Sequence, residues 1–161
     1  MTRVVVLGCA GSGKSRFARR LSERTGAPLI DLDALWRAQG DEDLDRFRDT
    51  MARLHAGDAW ISDGNFALAT FDIRLPRATL VVWLDPPKLL CAWRSITRVF
   101  QKSEPHRIGG LAKVLRFIWN FDRINRPLIE ASRIAHGPDV PVSRLRNNRE
   151  IASFLSSLDV A

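Results

Sequence analysis

Gly8-Cys9-Ala10-Gly11-Ser12-Gly13-Lys14-Ser15 decides how this chain is read. The octet follows an apolar run of β-formers, Val4 to Leu7, and precedes a segment in which Phe17, Ala18 and Leu21 recur at helical spacing. Strand, glycine-rich loop and helix in that order are the context in which such an octet holds phosphate. Gly8, Gly11 and Gly13 permit positive φ and close approach to an anion, so the N–H groups around Ser12 can converge on phosphate oxygens at the positive end of the following helix. Lys14 adds a charge near the β and γ phosphates. Ser15 offers a small hydroxyl to Mg²⁺, a hard cation that prefers oxygen ligands and arrives with nucleotide phosphates.

The 161 residues suffice for one domain with a substantial core. Hydrophobic residues make up 45% and charged residues 27%, the balance of a globular protein. No apolar run reaches membrane-spanning length, and the apolar N-terminus is occupied by the strand and phosphate loop, so a cytoplasmic protein without a membrane partner is expected. Two cysteines, Cys9 and Cys91, make neither a disulfide framework nor a zinc site. Cys9 reads as small filler in the loop, or as a thiol whose pKa the anion site lowers. The net charge of +7 is concentrated: between Arg94 and Arg126 there are eight basic and two acidic residues, so this stretch carries +6 of it.

In chain order, residues 3–7 read as a strand buried on both faces, followed by a helix from Lys14 to about Thr25 that Gly26 stops. A short second strand leads into Asp31-Leu32-Asp33, with both carboxylates at the sheet edge where ligands sit in open α/β folds. Leu44, Phe47, Met51 and Leu54 mark a helix. Trp60 to Ser62 is a third strand that leaves through Asp63-Gly64-Asn65-Phe66, and Thr79 to Leu84 a fourth. Asp85-Pro86-Pro87 reads as a helix cap followed by proline at the first helical position. A helix to about Phe100, a polar loop, and a long helix from Leu111 to about Ala135 with a possible kink at Pro127 come next. Val140 to Leu145 is a fifth strand, and Asn147 with Glu150 forms a capping box for a last helix. The alternation gives an α/β fold with a parallel sheet and helices on both faces. The basic helix-loop-helix at about 94–126 stands outside it, as an expected lid.

With these stretches in view, the chain resembles the adenylate-kinase and shikimate-kinase group of small P-loop kinases. More closely it looks like the bacterial adenylate-kinase-like family often labelled DNA topology modulation proteins. That likeness rests on Asp31-Leu32-Asp33-Ala34-Leu35-Trp36, Trp60-Ile61-Ser62-Asp63-Gly64-Asn65-Phe66, Val81-Val82-Trp83-Leu84-Asp85, and Arg144-Leu145-Arg146 with Glu150-Ile151. It implies one three-layer P-loop NTPase domain with sheet order 2-3-1-4-5, ATP and Mg²⁺ as cofactors, and phosphoryl transfer to a small acceptor.

The resemblance also assigns residues. Asp33 matches the aspartate that contacts the acceptor hydroxyl, and Asp31 its metal-side neighbour. The metal-side carboxylate itself has two claimants. An apolar strand ending in aspartate points to Asp85, whereas the family pattern places the role on Asp63; the capping duty read for Asp85 favours Asp63. Asn65-Phe66 stands where adenylate kinases carry the Pro-Arg that meets the acceptor phosphate, a departure from an AMP-type acceptor site. Arg94 corresponds to an arginine that stacks on adenine and Arg98 to one that reaches the phosphates, tasks suited to a planar, forked guanidinium. Arg107, Arg123 and Arg126 could close over the transferring group, and Arg146 could border the base. Trp83 and Trp60 read as core, Trp36 as packing or as a wall of the acceptor pocket. Trp93 and Trp119 could pack the lid helices together or stack on bases.

Three activities fit these features. The first is an ATP-dependent kinase acting on a small hydroxyl or phosphate acceptor. The second is an ATP-switched nucleic-acid binder that affects DNA topology and holds DNA or RNA on the basic lid. The third is a slow ATPase. No Asn-Lys-x-Asp stretch for guanine is present, which favours ATP.

Overall fold

The computed structural model of the chain describes residues 2–40, 43–101 and 108–158. Five parallel strands run in the order β2-β3-β1-β4-β5: β1 (Arg3–Gly8), β2 (Leu29–Asp31), β3 (Trp60–Asp63), β4 (Leu80–Leu84) and β5 (Val142–Leu145). This is the expected order. Every neighbouring pair is parallel, so each connection must cross over a face of the sheet and bring a helix with it.

Alternation along β1 divides the interior. Val5 and Leu7 enter a core with Phe47, Trp60, Phe71 and Trp83, while Val4 and Val6 enter the opposite one with Phe17, Leu21 and Leu155. Each fully buried aliphatic side chain of this kind stabilises the fold by about 1.5–3 kcal/mol, which is why the central strand is apolar throughout. The second core lies under α1 (Lys14–Thr25) and α8 (Asn148–Ser157). The first lies under α2 (Leu32–Ala38), α3 (Leu44–Leu54), α4 (Ala67–Arg74) and α7 (Arg126–His136). The Asn147 side chain accepts from Glu150 N at 2.9 Å, closing the expected capping box.

Four local features differ from the sequence reading. Asp31 ends β2 and caps α2, accepting from Ala34 N at 2.9 Å, so a helix begins within Asp31-Leu32-Asp33. A second short helix, α4, follows the turn after β3. Helix α5 (Lys88–Gln101) starts two residues past the first proline, and Asp85 is no cap. The long lid helix is broken: α6 (Ile108–Asn120) passes through a wide π-type turn, Phe121–Asn125, into α7. Pro127 lacks an N–H and crowds the carbonyl four residues back. The backbone widens just before it, and Arg126 N bonds to Phe121 O.

The segment expected as a lid is anchored at its far end. Ile118 and Phe121 are buried in the first core, whereas Trp93 and Trp119 are 63% and 69% exposed, which disfavours the first of their two expected roles, packing the lid helices together. Lys102 and Arg107 lie outside the described residues. No helix of the described residues is long and apolar enough to cross a membrane.

Candidate active site

The phosphate loop joins β1 to α1, with Gly8, Gly11 and Gly13 all at positive φ. Gly11 is also required sterically, since a Cβ there would lie 2.2 Å from the Cys91 carbonyl oxygen of α5. The loop is pinned at both ends. The Asn65 amide accepts from Gly8 N at 3.1 Å and donates to Gly8 O at 3.0 Å. Arg94 donates to Ser12 O at 3.3 Å and to Asn148 Oδ1 at 3.4 Å, tying the loop to the β5–α8 turn. Lys14 Nζ lies 3.3 Å from Cys9 O. The Cys9 thiol packs beside Cys91, and that hydrogen bond together with burial pushes it up, which agrees with the reading as small filler and not with a lowered thiol.

Three aspartates approach the loop, from β2, β3 and the first turn of α2. Asp63, at the end of β3, is 4% exposed, and its Oδ1 has no hydrogen-bond partner among the described residues. Burial raises its pKa above the ordinary carboxylate value, against the pull of the neighbouring Ser15 hydroxyl and the Lys14 ammonium. Asp31 is its cross-strand neighbour in register. Asp33 is exposed on the first turn of α2 and borders a cavity of about 1030 Å³ that also holds Lys14, Ser15, Arg98, Phe66 and Phe117. Phe66 forms part of an aromatic wall, with ring centroids 5.2 Å from Phe47 and 6.1 Å from Trp36.

A second cavity, about 700 Å³, opens on the other side of the loop between Ser12, Arg94, Arg146 and Asn148. Asp85 is here, but both its oxygens are taken by the Arg126 guanidinium, Oδ2 at 3.0 Å. Arg126 also donates to Asp122 at 2.9 Å, and Asp122 pairs with Lys88 at 2.8 Å. Arg123 is exposed on the π-type turn and borders neither cavity; Arg126, also expected over the transferring group, lines the smaller cavity paired with Asp85.

Beneath the Asp63 turn lies a polar chain with no counterpart in the sequence reading. Arg74 is 0% exposed and donates to Ser62 Oγ at 3.1 Å, to Gly64 O at 3.0 Å and to Asn65 O. Ser62 Oγ lies 2.9 Å from His55 Nε2, and His55 Nδ1 lies 2.8 Å from Met51 O. A carbonyl can only accept, so Nδ1 carries the proton and Nε2 accepts from Ser62. Burial lowers the His55 pKa to about 4 and keeps the ring neutral. Nothing local in the sequence singles out Arg74 or His55, because the Ser62 hydroxyl they share comes from β3 and the other acceptors of Arg74 from the turn after it.

Among the described residues no cluster of three or more His, Cys, Asp or Glu side chains could by itself hold a metal. An unpaired buried carboxylate oxygen beside a serine hydroxyl does fit Mg²⁺, which keeps waters and takes further oxygens from phosphate.

No family model matches the chain. A shikimate kinase from Symbiobacterium thermophilum is 35% identical to it over 51% of this chain, a match spanning 56% of that relative's length. Among solved structures, the shikimate kinase from Acinetobacter baumannii in complex with shikimate superposes with a TM-score of 0.59 at 17% identity, covering 99% of this chain and 93% of that one. A gluconokinase from Sinorhizobium meliloti gives 0.57 at 20% identity, covering 98% and 93%. The chain has the fold of the small P-loop kinases of shikimate- and adenylate-kinase-like type. These relatives bear kinase names, and nothing in them speaks for the DNA topology modulation label.

Proposed function

We propose that the chain is an ATP- and Mg²⁺-dependent phosphotransferase acting on a small acceptor that carries a hydroxyl or phosphate group. The observation that carries this reading is the buried, half-unpaired Asp63 carboxylate beside Ser15, at a phosphate loop whose adjoining cavity also contains Asp33. Arg94 and Arg146 border the smaller cavity and would flank the base. The loop amides and Lys14 would hold the β and γ phosphates. Ser15 and Asp63 would bind the metal, with Asp31 behind them as the N-cap of α2. Held there, Mg²⁺ would supply positive charge to offset that of the phosphoryl group being transferred.

Asp33 would orient the acceptor hydroxyl and take its proton as the new oxygen–phosphorus bond forms and the bond to the departing ADP oxygen breaks. Arg98, in the same cavity, would steady the negative charge held in the transition state. The aromatic wall of Phe66 and Phe117 would keep water from competing with the acceptor.

The test is a ³¹P screen of the protein with Mg·ATP against a metabolite panel, run beside Lys14→Ala. Acceptor-dependent ADP release that collapses in Lys14→Ala is expected. A folded wild-type protein that binds no Mg·nucleotide in calorimetry overturns the reading.

One observation favours a second reading, nucleotide-gated binding of single-stranded nucleic acid: Trp93 and Trp119 lie exposed in the most basic segment of the chain. It predicts binding that weakens steeply with salt, at about 0.7 in the log-log slope per neutralised phosphate. Salt-insensitive binding excludes it.

A further inference from the structure

Arg74 takes no part in the chemistry just described, yet it is the one guanidinium with 0% exposure among the described residues. Removing such a group from water is costly unless its hydrogen bonds are met by fixed acceptors. Burial lowers its pKa to about 9, with the Asp63 carboxylate opposing the shift. Its acceptors all belong to one short stretch: the Ser62 hydroxyl and the carbonyls of Gly64 and Asn65. The Phe71 ring lies 4.9 Å beneath it.

That stretch would not hold its shape unaided. Phe66 sits at φ 32°, the left-handed region that a bulky side chain avoids, and Gly64 at φ 138°. Three groups leave the turn toward the candidate site. The Asp63 carboxylate faces Ser15, the Asn65 amide grips both backbone atoms of Gly8, and the Phe66 ring walls the larger cavity. A strained turn carrying three site groups, clamped from below by one buried fork, is a positioning device and more than a repair of stray carbonyls.

We propose that Arg74 is a positioning residue for phosphoryl transfer: from inside the core it fixes the 63–66 turn, and through it the metal-side carboxylate and the grip on the phosphate loop. The inference rests on the phosphotransferase reading above. The hydrogen-bond chain Arg74 to Ser62 to His55 to Met51 O gives the fork its own fixed footing on α3.

The experiment is a calorimetric titration of Mg·ADP into wild type, Arg74→Lys, Asn65→Ala and the double variant, at a temperature where circular dichroism shows each one folded. Lysine keeps the charge but cannot reach several acceptors with a planar fork. Affinity should fall about 10- to 100-fold in Arg74→Lys, the range found when the support behind a metal ligand is removed. The double variant should lose less than the product of the two single losses, because both act through one turn. Unchanged affinity in folded Arg74→Lys, or fully multiplicative losses, overturns the proposal while leaving the kinase reading intact. Wild type that binds no Mg·ADP overturns both. Should Arg74→Lys not fold, ¹⁵N-arginine-labelled wild type decides: the Arg74 side-chain resonance shifts on adding Mg·ADP if it positions the turn, and a static resonance refutes it.

Discussion

Asp63 and Asp85 stand at the ends of the two strands that flank β1, and they are in opposite states. Asp63 is buried with one oxygen unpaired and faces the loop serine. Asp85 is half-buried and spends both oxygens on Arg126, which the π-type turn delivers from 41 residues downstream. The side holding Asp63 is braced by a fully enclosed chain of Arg74, Ser62 and His55. The side holding Asp85 is braced by a partly exposed network with Asp122 and Lys88. Both strand ends present a carboxylate, and the remote Arg126 takes up Asp85 while Asp63 keeps an unpaired oxygen among the described residues.

The strongest way to break this contrast is Asp63→Asn. The turnover of Mg·ATP should fall roughly 100- to 1,000-fold, as when a charge-stabilising group is removed from a reaction centre. Thermal stability should hold or rise, since a buried group that resists ionisation is replaced by a neutral amide. Asp85→Asn should leave the Mg²⁺ dependence as it is; loss of that dependence in Asp85→Asn alone would exchange the two roles.

The two sides should also differ in pH response. His55 drops from 6.5 to about 4 on folding, so between those values the unfolded chain binds more protons and stability is lost as the pH falls. The loss approaches about 3 kcal/mol by the lower end of that range. Asp63 runs the other way: its raised pKa contributes stability below 3.8 that disappears as the pH climbs through the raised value. Denaturant melts of wild type and His55→Gln between pH 4 and 7 separate them, the variant showing the flatter profile. An unchanged profile would mean that His55 is already charged in the fold.

The smallest effect belongs to the exposed network. Arg126→Met should cost about 1–2 kcal/mol, between the values of exposed and buried pairs. The Asp85→Asn cost should not add to it, because the two residues share one interaction. Additive losses in differential scanning calorimetry would show Arg126 working mainly through its contacts with Trp83 and Phe121.

The phosphate loop was legible because its chemistry is local: eight consecutive residues carry both the backbone freedom and the charge. Sheet order was legible from the alternation together with the family likeness. Short helices were not. Within Asp31-Leu32-Asp33 the pattern of a strand end and that of an N-cap overlap, and only the bond from Ala34 N to Asp31 distinguishes them. Asn65, read as a departure from an AMP-type acceptor site, lines the larger cavity and also holds Gly8 through its amide, a contact that only the folded loop reveals. Arg123 and Arg126 were indistinguishable by composition, since the backbone widening ahead of Pro127 sets which one turns inward. Arg74 was invisible, because a basic residue ending a short helix looks like solvated charge until the β3 turn is folded over it.

The contact at Gly11 reaches further than its size suggests. With the Cys91 carbonyl occupying the space where a side chain would begin, the curvature of the phosphate cradle is moulded by α5 during folding. The ordering cost that a flexible loop would incur on meeting its ligand is settled before any ligand arrives. Association should therefore carry the calorimetric signature of docking onto a finished surface, with little loss of backbone entropy, and an alanine at this one position should turn binding into an event that must first reshape the protein.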